Sequence, residues 1–251
     1  MNYIIITGAS KGLGKALAEN MMDENNHLFC ISRTVNEELV EKARENCTNL
    51  DYIKYDLNNV TGIEGLIDDI FSKIDGKNVE SIYLINNVGI VTPVKPVEKC
   101  SADEIISNVN INLMAPMIMT SAFIRKTKDL EAKKRIINIS SGAGKRPIFG
   151  WGPYCTSKAG LDLFTRCVGL EQEENNYPIE ILSFGPGIMD TDLQREVRSS
   201  KKEDFVQLDD FIGFKENGKL ATPESVANII IDLLEKDEFQ QGGVVDVSDF
   251  R

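Results

Sequence analysis

The stretch that decides the fold is Tyr3–Gly14, YIIITGASKGLG, in which an apolar run passes directly into a glycine-rich loop. The run predicts a buried strand at Tyr3–Thr7, and the residues that follow have a helical pattern over 12–22. Glycines at 8, 12 and 14 let the chain turn tightly and approach a ligand closely, and a helix start offers unpaired N–H groups. We therefore predict a strand, a phosphate-binding turn and a helix, whereas a plain turn would need only one glycine.

The same alternation of apolar runs and helical patterns continues along the chain. Further strands are predicted at Leu28–Ile31, Tyr52–Tyr55, Ile82–Asn86, Arg135–Ser140, Ile179–Phe184 and Val244–Val247, with helices near 36–46, 62–74, 102–126, 154–174 and 223–235. Almost continuously apolar strands that alternate with helices are typical of a parallel sheet covered on both faces. Right-handed crossovers make a seven-stranded, doubly wound α/β sheet the economical topology. No linker or repeat interrupts the pattern, so we expect residues 1–251 to form a single domain.

One segment, 190–220, breaks this rhythm. It is rich in charge, as in REVRSSKKED, with apolar residues at intervals. Ligands of open α/β sheets bind outside the carboxyl ends of the strands, where an insertion after the sixth strand would lie. We expect 190–220 to be a substrate-loop insertion, and a solvated excursion is the alternative.

Composition narrows the class of protein. A net charge of −11 argues against nucleic acid or an anionic membrane as partner, because both attract positive charge. Five cysteines without CxxC spacing, and a single histidine, predict reduced thiols and no metal site. The sequence has no signal-peptide pattern and no apolar stretch long enough to cross a membrane, so we expect a cytoplasmic protein.

Further motifs follow the glycine loop in order. They are Asn86-Asn87-Val88-Gly89, Asn112 in NVNINL, Ser141 thirteen residues before Tyr154, the pair Tyr154 and Lys158 one helical turn apart, and Gly185-Pro186-Gly187 with Thr191. With the G-x-x-x-G-x-G spacing of the loop, this series resembles the classical short-chain dehydrogenases/reductases over essentially the whole chain. Val88 departs from the pattern, because the family has alanine there. The resemblance implies a Rossmann fold, a nicotinamide cofactor and a small-molecule substrate.

The resemblance also implies roles for four catalytic residues: Asn112, Ser141, Tyr154 and Lys158. Tyr154 would donate a proton to the substrate oxygen that Ser141 holds, and Asn112 would position a water that links Lys158 to solvent. A free phenol, with a pKa near 10, is a poor acid–base catalyst at neutral pH. We expect the neighbouring Lys158 ammonium to lower that pKa.

A larger set is expected to bind the cofactor. It comprises Gly8, Ser10, Lys11, Gly12, Leu13, Gly14, Arg33, Asp56, Asn87, Gly89, Tyr154, Lys158, Pro186, Gly187, Ile188 and Thr191. The second predicted strand ends in FCISRT, with Arg33 where an acidic residue would select NAD(H). Arg33 and Lys11 together favour NADP(H), and the alternative is that both point into water.

Within the family, the stretches RIINISSGAGKRPIFGWGPYCTSKAG and LLEKDEFQQGGVVDV resemble the branch of sepiapterin and benzil reductases. This implies an NADPH-dependent carbonyl reductase that acts on a ketone or 1,2-diketone. Asp246 matches an aspartate that anchors substrate in that branch, although it could equally end a strand. Trp151 and Phe149 could form the wall of an apolar pocket beside Tyr154 and Ser141, or could pack in the core.

Other functions stay open at this stage. A 3-oxoacyl thioester reductase of fatty-acid synthesis would share the motifs, but the acidic net charge counts against docking to an acidic carrier protein. The NADP preference disfavours physiological alcohol oxidation. A non-enzymatic NADP(H)-sensing regulator would typically lack Tyr154 or Lys158. The resemblance also implies a homodimer or homotetramer, assembled through the helices at 102–126 and 154–174.

Overall fold

The computed structural model describes residues 1–250 of the chain. Its strands are β1 Asn2–Thr7, β2 Asn26–Ser32, β3 Asn49–Lys54, β4 Ser81–Asn86, β5 Lys133–Ile139, β6 Glu180–Gly185 and β7 Val244–Asp246. They form one sheet in the order β3-β2-β1-β4-β5-β6-β7, and every neighbouring pair is parallel. The predicted fold class, a seven-stranded, doubly wound parallel sheet, is confirmed.

Helices cover both faces of this sheet. They are α1 Gly12–Asn20, α2 Glu37–Glu45, α3 Ile63–Phe71, α4 Ala102–Val109, α5 Ala115–Thr127, α6 Gly152–Gln172, α7 Asp192–Arg198, α8 Leu208–Glu216 and α9 Pro223–Glu235. Alternate residues of β1 show why both faces need a cover. Ile4 and Ile6 pack in the core with α1 and α9, while Tyr3 and Ile5 pack in the core with α3 and α5. The continuous apolar run YIII thus supplies two hydrophobic layers at once.

The strand order places a crevice beside β1. β1 pairs with β2 on one side and β4 on the other, so the crossovers leave it in opposite directions. In such sheets the carboxyl ends at the point of reversal are left uncovered by helices and form the ligand site. Here the residues that follow Thr7 and Asn86 meet at that point.

Two predicted elements differ from the structure. The helix expected over 102–126 consists of α4, a π-helical turn at Asn110–Met114, and α5. A π turn holds more residues than an α turn, and side-chain spacing does not reveal it. The segment 190–220 contains α7 and α8, which were not predicted. Among residues 1–250, no helix has both the length and the apolarity that a membrane crossing needs.

Candidate active site

A cavity of about 1070 Å³ lies at the carboxyl ends of the strands. It brings together nearly all the residues that the sequence singles out. Those that line it are Gly8, Ser10, Lys11, Gly12, Leu13, Arg33, Asp56, Asn87, Gly89, Ser141, Trp151, Tyr154, Lys158, Pro186, Gly187, Ile188, Thr191 and Asp246. Gly14 and Asn112 do not line the cavity and lie behind its wall.

The glycine loop Gly8–Gly12 and the start of α1 have the geometry of an anion-binding site, which we call the α1 cradle. Gly8 has a φ of +72°, which favours glycine, and α1 begins after Lys11 without any side-chain cap. The first N–H groups of α1 are therefore available to a ligand. A Cβ on Gly14 would stand 2.2 Å from the backbone oxygen of Gly8. Gly14 thus packs the helix against the loop, a supporting role rather than the predicted ligand contact.

Three hydrogen bonds join Thr7, at the start of the glycine loop, to the segment after β4. The Thr7 hydroxyl accepts from the backbone N–H groups of Asn87, at 2.9 Å, and Val88, at 3.1 Å. The Asn87 side-chain amide donates back to the Thr7 carbonyl at 2.9 Å. Two walls of the cavity are thereby held at a fixed separation.

The two cations expected to face a phosphate are in different situations. Lys11 lines the cavity and forms an ion pair with Asp192 of α7, with 2.6 Å between Nζ and Oδ2. Arg33 is exposed, lines the cavity and has no ion-pair partner in residues 1–250. The N–H groups at the start of α1 fit the pyrophosphate of a dinucleotide.

Tyr154 and Lys158 lie one turn apart on α6, and both are buried, at 6% and 3% exposure. Lys158 Nζ is 5.8 Å from the centroid of the Tyr154 ring and donates to the carbonyl of Ile139 at 2.8 Å. Ser141 follows β5 by two residues in extended conformation, and its hydroxyl accepts from the Ala143 N–H at 3.1 Å. The phenol, the hydroxyl and the ammonium therefore share one end of the cavity.

Burial dominates the titration of both groups. It raises the pKa of Tyr154 to about 12, and a hydrogen bond from Ser141 only partly opposes this. Burial also lowers the pKa of Lys158 to about 8, against the attraction of Asp162 one turn further along α6. The predicted lowering of the Tyr154 pKa is therefore wrong for this state, because burial outweighs the contacts that favour the phenolate. At neutral pH the phenol keeps its proton.

Asn112 lies in the π-helical turn and is fully buried. Its Oδ1 accepts from the Ile90 N–H at 2.9 Å, and its Nδ2 donates to the Ile90 carbonyl at 2.8 Å. A Cβ on Gly89 would stand 3.2 Å from Asn112 Oδ1 and 3.6 Å from Lys158 Nζ, so the two side chains converge on this glycine. Both atoms of the side-chain amide thus hold the Gly89–Ile90 wall, and the water-positioning role of Asn112 stays a prediction.

Aromatic side chains close the other side of the cavity. Trp151 stacks on Phe205 with 5.3 Å between ring centroids and meets the edge of Tyr154 at the same distance. Phe211 of α8 packs against both Trp151 and Phe205. Trp151 therefore both lines the cavity and packs in the core. Phe149 is 51% exposed and does not line the cavity. Residues 190–220 thus pack directly over the Tyr154 end of the site.

Asp246 lines the cavity at the end of β7 and forms an ion pair with Lys145. Its charge is therefore balanced within the protein.

Sequence reasoning missed several lining residues that α7, α8 and the loop before α6 supply. They are Arg146, Ile148, Leu193, Gln194, Val197 and Phe211. The i, i+4 spacing of Leu193 and Val197 is a helical signal that could have found α7. The many charged residues around α7 made that apolar spacing hard to recognise.

Comparisons with known proteins agree with this geometry. The family model described as short chain dehydrogenase matches residues 2–202. The chain is 49% identical over 249 residues to benzil reductase ((S)-benzoin forming) of Bacillus cereus, covering 99% of this chain and 100% of the relative. It is 26% identical over 257 residues to sepiapterin reductase of Bos taurus, covering 98% and 94%.

A solved 3-oxoacyl-[acyl-carrier protein] reductase of Brucella melitensis, in complex with NAD, superimposes with a TM-score of 0.82 at 20% identity, covering 98% of this chain and 94% of that one. This likeness concerns the fold. The family match and the 49% identical relative go further, and the chain therefore belongs to the short-chain dehydrogenase family of oxidoreductases.

Proposed function

We propose that this protein is an NADPH-dependent carbonyl reductase that acts on vicinal diketones such as benzil. The observation that carries the proposal is one continuous cavity with unlike ends. Unpaired Arg33 and the α1 cradle lie at one end, and the protonated Tyr154 phenol lies at the other under an aromatic wall. The name of the 49% identical relative, a benzil reductase, supports the substrate class.

Each end of the cavity has its task in this proposal. The N–H groups at the start of α1 would bind the pyrophosphate, Arg33 would bind the 2′-phosphate, and Asp56 would contact the adenine. The bound NADPH supplies a hydride to the carbonyl carbon. Ser141 Oγ orients the substrate oxygen, and Tyr154 Oη donates the proton that this oxygen needs. Lys158, held by the Ile139 carbonyl, provides the positive charge that stabilises the resulting phenolate.

The segment 190–220 is proposed to act as a substrate loop within a single domain. Phe205 and Phe211 bury Trp151, so the loop excludes water from the Tyr154 end and offers apolar surface to aryl groups.

The proposal is tested by following NADPH consumption with benzil, methylglyoxal, sepiapterin and acetoacetyl thioester in parallel. We expect the highest kcat/KM with benzil. Turnover of the thioester alone would replace the proposal with a fatty-acid reductase. Tight NADPH binding without turnover of any carbonyl would favour a nucleotide sensor.

The pH dependence of reduction is expected to follow Lys158. Its pKa of about 8 lies below that of a free lysine, so the ammonium loses its charge as pH rises above 8, while Tyr154 remains protonated. We expect kcat/KM for NADPH to be flat below about pH 7 and to fall about tenfold per pH unit well above 8. A profile that stays flat to pH 10 would contradict this assignment.

Cofactor preference is expected to depend on Arg33. In an Arg33→Asp variant, a carboxylate faces the 2′-phosphate, and we expect kcat/KM for NADPH to fall about 100-fold while that for NADH changes little. Arg44→Asp is the matched control, because Arg44 is exposed on α2 and does not line the cavity. Equal losses with both cofactors would place Arg33 outside the phosphate site.

Two further proposals concern the protein's surroundings. All five cysteines are free, which supports a reducing, cytoplasmic location.

Leu163 and Leu170, seven residues apart on α6, are 62% and 67% exposed, and this apolar surface supports self-association as a dimer or tetramer.

A further inference from the structure

A closed set of buried hydrogen bonds connects Asn112 to α6 through Asn108. Asn108 lies in the last turn of α4, and Asn108, Asn112 and Ser157 are all fully buried. Asn108 Oδ1 accepts from Asn112 Nδ2 at 3.0 Å and lies 2.9 Å from the Ser157 hydroxyl. Asn108 Nδ2 donates to the Thr92 carbonyl at 2.7 Å. The sequence motifs did not include Asn108 or Ser157.

The orientation of the Asn108 amide follows from these partners. If Oδ1 and Nδ2 were exchanged, an N–H₂ group would face the Asn112 N–H₂ group, and an oxygen would face the Thr92 carbonyl. Both contacts would be repulsive, so only one orientation satisfies every buried group. In that orientation, Asn108 leaves Asn112 free to hold both backbone groups of Ile90.

We propose that Asn108 is a positioning residue for the reduction. It fixes Asn112 and, through Ser157, ties it to the turn of α6 between Tyr154 and Lys158. The Gly89–Ile90 wall is then kept at a set distance from the phenol and the ammonium. The proposal rests on the proposed reductase function, but the network can be tested without any substrate.

The first test compares kcat in an Asn108→Leu variant, which keeps similar volume and removes every hydrogen bond. We expect kcat with benzil to fall about 30- to 100-fold, because a shift of about 1 Å in a catalytic group has an effect of this size. The Kd for NADPH should change less than about threefold, because Arg33 and the α1 cradle bind it elsewhere. Ser157→Ala removes the link between Asn108 and α6, together with the hydrogen bond from Ser157 Oγ to the Pro153 carbonyl at 2.8 Å. We expect it to lower kcat by about three- to tenfold.

Gln172→Leu is the matched control. Gln172 is a buried amide at the far end of α6 that accepts from the Ile179 N–H at 3.2 Å. We expect it to lower the free energy of unfolding and to leave kcat unchanged. If Asn108→Leu lowers kcat no more than Gln172→Leu does, the proposal is overturned.

An Asn108→Asp variant separates positioning from general destabilisation. A protonated aspartic acid can donate to the Thr92 carbonyl and accept from Asn112, whereas a carboxylate would face the Thr92 carbonyl unpaired. Burial raises the pKa of such a group. We expect the ratio of variant to wild-type kcat to approach one at low pH and to fall as pH rises. Because Tyr154 and Lys158 titrate in both proteins, their effect on kcat cancels in this ratio. A ratio independent of pH would overturn the proposal.

Amide hydrogen exchange gives a readout that needs no turnover. Loss of the network should speed exchange at Ile90 in Asn108→Leu and Ser157→Ala, but not in Gln172→Leu. If the wild-type protein does not reduce benzil, the proposed substrate fails while this exchange result still decides the role of Asn108. Unchanged exchange at Ile90 in both variants would overturn that role.

Discussion

Replacement of Tyr154 by phenylalanine is expected to lower kcat for carbonyl reduction by about 10³-fold, the range of a lost general acid. The phenol is buried, and its pKa of about 12 keeps it protonated, so the proton is in place for the more basic alkoxide oxygen that hydride addition creates. Phenylalanine keeps the ring that packs edge-on against Trp151. Apolar packing should therefore survive, and the free energy of unfolding should change by no more than about 1 kcal/mol.

The measurement is single-turnover reduction of benzil, with the Kd for NADPH determined in parallel. Tyr83→Phe is the matched control, because Tyr83 is also buried with a raised pKa but does not line the cavity. We expect the control to keep wild-type kcat. A Tyr154→Phe variant with full activity would show that the proton comes from another group.

Replacement of Lys158 by methionine is expected to remove activity and to stabilise the protein without cofactor. We expect kcat/KM to fall about 10²- to 10³-fold, because a positive charge that stabilises the developing phenolate is lost. Burial lowers the pKa of Lys158 from 10.5 to about 8, so the buried ammonium costs up to about 3 kcal/mol at pH 7. The unpaired Ile139 carbonyl offsets part of the gain, which leaves about 1–2 kcal/mol of net stabilisation.

The size of this stabilisation depends on pH. At pH 7 lysine is charged in both the folded and the unfolded chain, and the full cost of burial applies. Between about pH 8 and 10.5 the folded lysine is neutral while the unfolded one still binds a proton, so wild-type stability rises with pH. Urea unfolding without cofactor should therefore show a gain for Lys158→Met that shrinks from pH 7 to pH 10.

Lys134→Met is the control for this pair of effects. Lys134 is also buried, donates to the Thr127 and Tyr177 carbonyls, and has a pKa lowered by burial. It lies outside the cavity, so we expect kcat to stay at the wild-type value. If Lys158→Met destabilises the protein as well as inactivating it, the ammonium contributes more to folding than its burial suggests.

Local patterns predicted the sheet and most of the site because both depend on residues close in sequence. The run YIII dictates a doubly buried strand, and the glycines after it dictate the turn, whatever the rest of the chain does. Tyr154 and Lys158 are brought together by helical spacing alone. Short-range geometry of this kind can be predicted from sequence.

What could not be predicted depends on distant packing. The ion pair between Lys11 and Asp192 joins residues 181 positions apart. Burial raises the pKa of Tyr154, and its ring packs on Trp151, which Phe205 and Phe211 of the segment 190–220 cover in turn. The packing role of Gly14 depends on its close approach to the backbone oxygen of Gly8, which the spacing of the glycines does not reveal.

The π-helical turn at Asn110–Met114 has a consequence for how such a site can be gained or lost in evolution. A π turn accommodates one extra residue while the helices on either side keep their places. Deleting a single residue there would let α4 and α5 merge into one regular helix, with the sheet contacts of both preserved. The two hydrogen bonds between Asn112 and Ile90 would be lost, and the fold would persist. A change of length at this turn is therefore expected to remove the contacts of Asn112 with Ile90 and to leave the sheet intact.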